Sequence, residues 1–311
     1  DCVLVHCAPP DARGYLSLGV SVGVALPAAR RAPLVIAQVN PAMPRTLGNA
    51  FLHRSQVDAW VEVAEPLMPY PPTPVGEIER AIGRHVAGLV PDGATVQVGV
   101  GAIPQAVLEA LVDHRELALH SLLVDSSVTL VERGAVTNAL KRVHRGRMDI
   151  AEAMGTRRLF DFVHENPLVN MESSAFVHDP ETVARLDRFV AINSALEVDL
   201  TGQVTAESLG PRQVAGIGGQ FDFVLGAGRS RGGVTVIALP STGRDGALSR
   251  IVARLSAGAA VTSPRFLAEW VVTEHGAAEL RGKGERGRAE ALLAVAHPRF
   301  QGELERALTS S

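Results

Sequence analysis

Several stretches of this chain combine residue types that could do chemistry. Gly99-Val100-Gly101 lies between an aliphatic run, Ala94 to Val98, and a helical pattern from about Pro104 to Val112. Glycine lets backbone approach a ligand, and the first turn of a helix offers free N–H groups to an anion or oxyanion. The three-glycine dinucleotide fingerprint is not met, because Gln105 and Ala106 occupy the later positions. The segment is therefore a ligand cradle or a plain tight turn. In Ala215-Gly216-Ile217-Gly218-Gly219-Gln220-Phe221-Asp222-Phe223, glycine fills three of four successive positions. Such density is entropically costly, which predicts a loop pressed against something flat or charged. Alternation places Ala195, Glu197 and Asp199 on one strand face. The two carboxylates could form an acid/base pair, but the stronger reading is that they hold loops through backbone N–H groups. The loop Leu239 to Gly246 follows an aliphatic strand, where ligands sit in α/β sheets, and its Arg244 could pair with a phosphate. His120 and His178 lie in suggestive surroundings, although a lone loop histidine is more often a packing residue. No histidine falls in a metal-ligand spacing, and no Gly-x-Ser-x-Gly elbow is present.

The elements that must position these residues alternate between strand and helix. Strands are expected at Cys2 to Cys7, Pro33 to Val39, Ala94 to Val98, Phe189 to Ile192, Val234 to Leu239 and Val271 to Thr273. Helices are expected over Val75 to Leu89, Gly284 to Val295 and Pro298 to Leu308. Such alternation implies a largely parallel sheet covered by helices. Pro66 to Pro74 carries five prolines, fits neither helix nor central strand, and reads as a domain linker. The expected division is residues 1–74 and 75–311. Opening on a core strand suggests that an N-terminal part of the first domain is missing.

Composition agrees. Of 311 residues, 46% are hydrophobic and only 4% aromatic, a mix suited to aliphatic strands under small-residue helices. The net charge of −3 is spread along the chain, without the basic block or aromatic cluster of a nucleic-acid binder. No run is long enough to span a bilayer, and the first residues lack the flanks of a signal peptide. The expectations are no nucleic acid, no membrane, no metal, and a reducing cytoplasm. The two cysteines, Cys2 and Cys7, would point to opposite strand faces and are read as small buried hydrophobes, not a disulfide.

Further motifs carry a resemblance. INSALEVDLTGQV (Ile192 to Val204), GIGGQFDFV (Gly216 to Val224), ALPST (Ala238 to Thr242), SRIV (Ser249 to Val252), VVTEHGAAELRGK (Val271 to Lys283) and AHPRF (Ala296 to Phe300) resemble the acetyl-CoA hydrolase/transferase family. PPDARGYLSLGVSV, NPAMPRTLGNAFLH and GVGAIPQAVLEAL do so as well. The likeness runs nearly end to end. It implies two related α/β domains, the first incomplete here, with the active site in the cleft between them. It also implies coenzyme A as substrate, and a small acyl-CoA and a carboxylic acid as partners. The chain is expected to be a homo-oligomer or to pair with a subunit supplying the missing N-terminal part.

By the resemblance, Gly99, Val100, Gly101, Ala102 and Ile103 match the first CoA-binding loop. Gly219 matches an oxyanion-hole and CoA contact, Ala215 falls at a CoA-contacting asparagine, and His178 falls at an oxyanion-binding asparagine. Family transferases attack the thioester with a glutamate in His-Thr-Glu-Met-Phe-Ser-Asp-Gly. The matching segment here is His120-Ser121-Leu122-Leu123-Val124-Asp125-Ser126-Ser127, one residue shorter, with Leu122 at the glutamate's place. Asp125 is the nearest carboxylate in that segment, and Asp125, His120 or His178 could serve a hydrolase as base. Three outcomes are open: an acyl-CoA transferase or hydrolase, a family member recruited to other carbonyl chemistry, or a non-catalytic acyl-CoA-binding subunit.

Overall fold

A computed structural model describes residues 1–243 and 245–309 of the protein. Its first sheet has three parallel strands, β1 (Cys2–Cys7), β2 (Leu34–Val39) and β3 (Ala59–Glu62), in that spatial order. β2 is central. Its alternate residues Val35, Ala37 and Val39 are buried, as a pleated strand with one covered face requires. β1 is an edge strand, not the core strand that its composition suggests, and Leu4 is 75% exposed on it. The cysteine reading is corrected on the same strand. Cys7 is buried, and burial pushes its thiol up to about 12, but Cys2 is exposed. The proline-rich stretch forms neither helix nor strand, and Met68 protrudes from it.

The second sheet has eight strands: β4 (Thr95–Gln97), β5 (Ala118–Leu123), β6 (Met148–Ala153), β7 (Val169–Met171), β8 (Phe189–Ser194), β9 (Val234–Ala238), β10 (Trp270–Thr273) and β11 (Gly276–Glu279). Their order is β11-β10-β9-β8-β4-β5-β6-β7, parallel except for β11. From β4 the chain moves outward through β5, β6 and β7, then returns to pair β8 with the other side of β4. This reversal leaves a crevice beyond the carboxyl ends of β4 and β8, where α/β sheets take ligands.

The helices that bear on the site are α1 (Glu77–Ala87), α2 (Ala102–Ala110), α3 (Asp125–Glu132), α4 (Arg157–Val163), α5 (Ser174–Val177) and α6 (Gln220–Ala227). Two more, α7 (Glu285–Val295) and α8 (Pro298–Thr309), close the chain. α1 has Glu77 and Glu79 in its first turn and Arg84 and His85 in its last, the arrangement the helix dipole favours. Its Gly83 lies so close to α2 that a Cβ would come within 2.7 Å of the Ala106 carbonyl. The main core joins both sheets, from Val5 and Leu16 through Ile82 and Val107 to Ile150 and Val272. A smaller cluster on the opposite face of the large sheet joins Ala151, Val177, Phe189, Ala191, Phe223 and Val224.

Candidate active site

The loop between β4 and α2 is built as its sequence suggests, but the helix starts two residues before Pro104. Gly101 is the N-cap with φ 114°, a conformation open to glycine and strained for other residues. No atom lies within 4 Å of a Cβ placed on Gly99 or Gly101, so both face open space. Ala102 and Ile103 supply first-turn N–H groups, and Pro104 supplies none. A cleft beside this loop is lined by Gly99, Val100, Gly101, Gln105, Val124, Asp125, Met154, Tyr70 and Thr73. The proline-rich stretch thus forms one wall, tied down by the Tyr70 N–H on the Gly155 carbonyl at 2.9 Å.

Asp125 begins α3 on this cleft. Both its oxygens are engaged, accepting from the Thr156 N–H at 2.9 Å and the Thr156 hydroxyl at 2.7 Å. Gly155 makes room for that pair, since a Cβ there would sit 2.7 Å from Asp125 Oδ2. A carboxylate so held is a rigid wall group of the cleft.

Phe223 gathers the other site residues. The His178 ring lies edge-on to it at 4.8 Å and the His120 ring at 6.3 Å. Gly219 caps α6 against the same pair: a Cβ on it would meet Phe223 Cε2 at 2.6 Å and His178 Nδ1 at 2.9 Å. The last glycine of the Gly216–Gly219 run is thus pressed against two aromatic rings, with no space for a side chain. Burial lowers the His178 pKa, partly opposed by Asp222, whose own carboxyl is raised by burial. His120 is 1% exposed and donates from Nε2 to the Val177 carbonyl at 2.7 Å. Burial pulls its pKa down to about 3, so the ring is neutral, and its buried Nδ1 has no partner. Ala215 is exposed, and its carbonyl accepts from Gln213 Nε2 at 2.7 Å. Arg244 lies outside the described residues.

The structure thus brings His120, His178 and Gly219 together around Phe223, and Asp125 together with Gly99 to Gly101 in the cleft. Glu197 and Asp199 belong to neither group. Asp199 accepts from the N–H groups of Thr201 and Gln203, both at 3.0 Å, and Glu197 holds Ser256. They are loop struts, the stronger of the two readings for that pair.

Between the two groups lies the segment where the family's glutamate is expected. β5 and β6 pair His120 with Asp149 and Ser121 with Ile150, then Leu122 with Glu152. Ala151 is the extra residue of a β-bulge, and Ser121 takes a φ of 89° opposite it. Glu152 was not singled out from sequence. A charge so close to the end of an otherwise largely aliphatic run, Met148 to Ala153, was the available signal. Among the described residues no group of three or more His, Cys, Asp or Glu could hold a metal ion, and no helix is long and apolar enough to cross a membrane.

The parallel sheet has a glycine loop and a helix N-terminus at its switch point, an arrangement that can take an anionic ligand. Comparison with known proteins identifies it further. The family model for the acetyl-CoA hydrolase/transferase N-terminal domain matches residues 1–70, and that for the C-terminal domain matches residues 155–308. A 4-hydroxybutyrate coenzyme A transferase of Clostridium kluyveri is 46% identical over 98% of this chain and 71% of its own length. A succinyl-CoA:cyclohexane-1-carboxylate CoA transferase of Geobacter metallireducens is 43% identical over 96% of this chain and 69% of its own. The crystal structure of RipA from Yersinia pestis superposes with a TM-score of 0.94 at 39% identity, over all of this chain and 70% of that one. The chain belongs to the acetyl-CoA hydrolase/transferase family. It is an enzyme that processes acyl-CoA, as a transferase or a hydrolase.

Proposed function

We propose that this enzyme moves CoA from a small acyl-CoA to a carboxylic acid, with the reacting thioester held between the β4–α2 loop and Gly219. The observation that carries this is the Gly219 cap, wedged against His178 and Phe223 with no room for a Cβ. Its N–H, with the ring of His178, would donate to a tetrahedral oxyanion. Gly99 to Ile103 and Ala215 would contact the CoA, and Arg244 would meet a phosphate. Domains of residues 1–74 and 75–311 would face each other across the cleft. The named activities of the relatives support acid-to-acid exchange over hydrolysis. Cytoplasmic location and assembly as a homo-oligomer, or with a subunit that extends the first domain, complete the proposal.

The test is turnover of acetyl-CoA with and without a short-chain acid acceptor. Exchange is expected to exceed free-thiol release. Thiol release at the same rate without an acceptor would make the enzyme a hydrolase, with Asp125, His120 or His178 as candidate bases. No thioester turnover under either condition would overturn the proposal.

A further inference from the structure

We propose that Glu152 on β6 is the carboxylate that attacks the acyl-CoA thioester, in the role for which Leu122 is unfit. The inference rests on the thioester-exchange reading above and names its nucleophile.

The argument begins with register. Leu122 and Glu152 are Cα partners across β5 and β6, and partners in a sheet project to the same face. The next pair, Leu123 and Ala153, enters the main core. Leu122 and Glu152 therefore face the other side, where Ala151, Val177 and Phe223 pack and where His178 and Gly219 stand. Without the bulge at Ala151 the residue opposite Leu122 would be alanine. The bulge turns a glutamate onto that face instead, at the carboxyl end of the strand. Bulges commonly re-aim side chains in this way.

Contacts connect Glu152 to the oxyanion cluster. Ser21 is bridged to Glu152 backbone to backbone, and the Glu152 carboxylate lies beside Gly23. The Gly23 carbonyl accepts from the Ser174 N–H at 2.9 Å and its hydroxyl at 3.1 Å, and the Ser174 carbonyl accepts from the His178 N–H at 2.9 Å. Gly23 itself leaves the space: a Cβ on it would lie 2.7 Å from Glu152 Oε1. Burial raises the Glu152 pKa, opposed in part by its polar neighbours Ser21 and Gly23. A half-buried carboxylate, partly stripped of water and packed against Gly23, is suited to nucleophilic attack. Asp125, by contrast, has both oxygens bound to Thr156.

The chemistry balances without a co-reactant. A Glu152 oxygen adds to the acyl carbon, the thiolate of CoA leaves, and a mixed anhydride forms. The thiolate then adds to the Glu152 carbonyl carbon, and the acyl group departs as its carboxylate. The resulting glutamyl-CoA thioester passes CoA to the acceptor acid by the same two steps in reverse, which regenerates the free Glu152 carboxylate.

The enzyme is incubated with acetyl-CoA, quenched with borohydride, digested with trypsin and mapped by mass spectrometry. Reduction of a glutamyl thioester to the alcohol is expected in the peptide Met148 to Arg157, at Glu152. Glu152→Gln keeps the size and shape of the side chain beside Gly23, so Tm should hold while turnover falls by at least about 10³-fold and the label vanishes. Glu152→Asp should lose roughly 10²-fold, because the shorter side chain misplaces the nucleophile by about 1 Å. Label in Glu116 to Arg133, which holds Asp125, or in Gln213 to Arg229, which holds Asp222, would overturn the assignment. So would wild-type exchange without any label, or a Glu152→Gln variant within tenfold of wild type. In all of these the exchange activity itself would stand. Absence of turnover in the wild-type enzyme would instead remove the parent reading, and this inference with it.

Discussion

At the scale of single residues, the site is governed by what has no space. Gly219 sits where a Cβ would lie 2.6 Å from Phe223 and 2.9 Å from His178. Gly219→Val should therefore displace the His178 ring and close the oxyanion position, lowering kcat/KM by at least about 10²-fold. Steady-state kinetics check this, and an unchanged kcat/KM would remove Gly219 from the site. His120 gives a different kind of consequence. The folded protein protonates it only near pH 3, whereas an exposed histidine does so near its ordinary value of 6.5. Between those limits the unfolded chain binds the proton and the native one does not, so stability falls as pH drops from 6.5 towards 3. The full effect is on the order of 5 kcal/mol. Urea midpoints measured across that range should decline in the wild type. They should decline less in His120→Gln, whose amide can still donate to the Val177 carbonyl.

At the scale of elements, the informative feature is the pairing of β5 with β6. The bulge and the φ of 89° at Ser121 fix the direction of each side chain that follows. A glutamate reintroduced at Leu122 would enter a segment one residue shorter than the family's and would stand directly beside Glu152. We expect Leu122→Glu to leave turnover at or below wild type, and to restore less than about a tenth of it in a Glu152→Gln background. Kinetics of the single and double variants decide this, and full rescue would show that backbone direction at Leu122 is not limiting. The same pairing shows why part of the site escaped the sequence. The β4 loop was legible because an aliphatic run, two glycines and Pro104 follow one another locally. The strut Asp199 was legible because its donors, the Thr201 and Gln203 N–H groups, lie within four residues of it. Glu152 was not, since its importance depends on which residue of a separate strand it meets, and an insertion of one residue reverses that face. The exposure of Cys2 and Leu4 escaped for a related reason: an edge strand and a central one can have the same composition.

At the scale of the whole molecule, the two sheets are bound by backbone as well as by their shared core. Residues 20–23 lie along β6, with the Val22 and Gly23 N–H groups on the Ala151 carbonyl and the Ala153 N–H on the Val20 carbonyl. Residues 47–49 lie along β7, with the Asn49 N–H on the Met171 carbonyl at 2.8 Å and the Met171 N–H on the Leu47 carbonyl at 2.9 Å. The second contact depends on Gly48. Its φ is 98°, and a Cβ there would come within 2.6 Å of both Met171 N and Met171 O. Backbone atoms cannot swing aside as a side-chain end can, so Gly48→Ala must pull the two strands of this junction apart. The expected cost is about 2–4 kcal/mol, from strain at positive φ together with the broken ladder. For a chain of this size that lowers Tm by roughly 3–6 °C. Because one core runs from Val5 to Val272, calorimetry should show the loss as a downward shift of a single transition. Two resolved transitions would mean that the residues before the proline-rich stretch fold apart from the rest. In that case Glu152, which lies beside Ser21 and Gly23 of the first unit, would depend on how the two units dock.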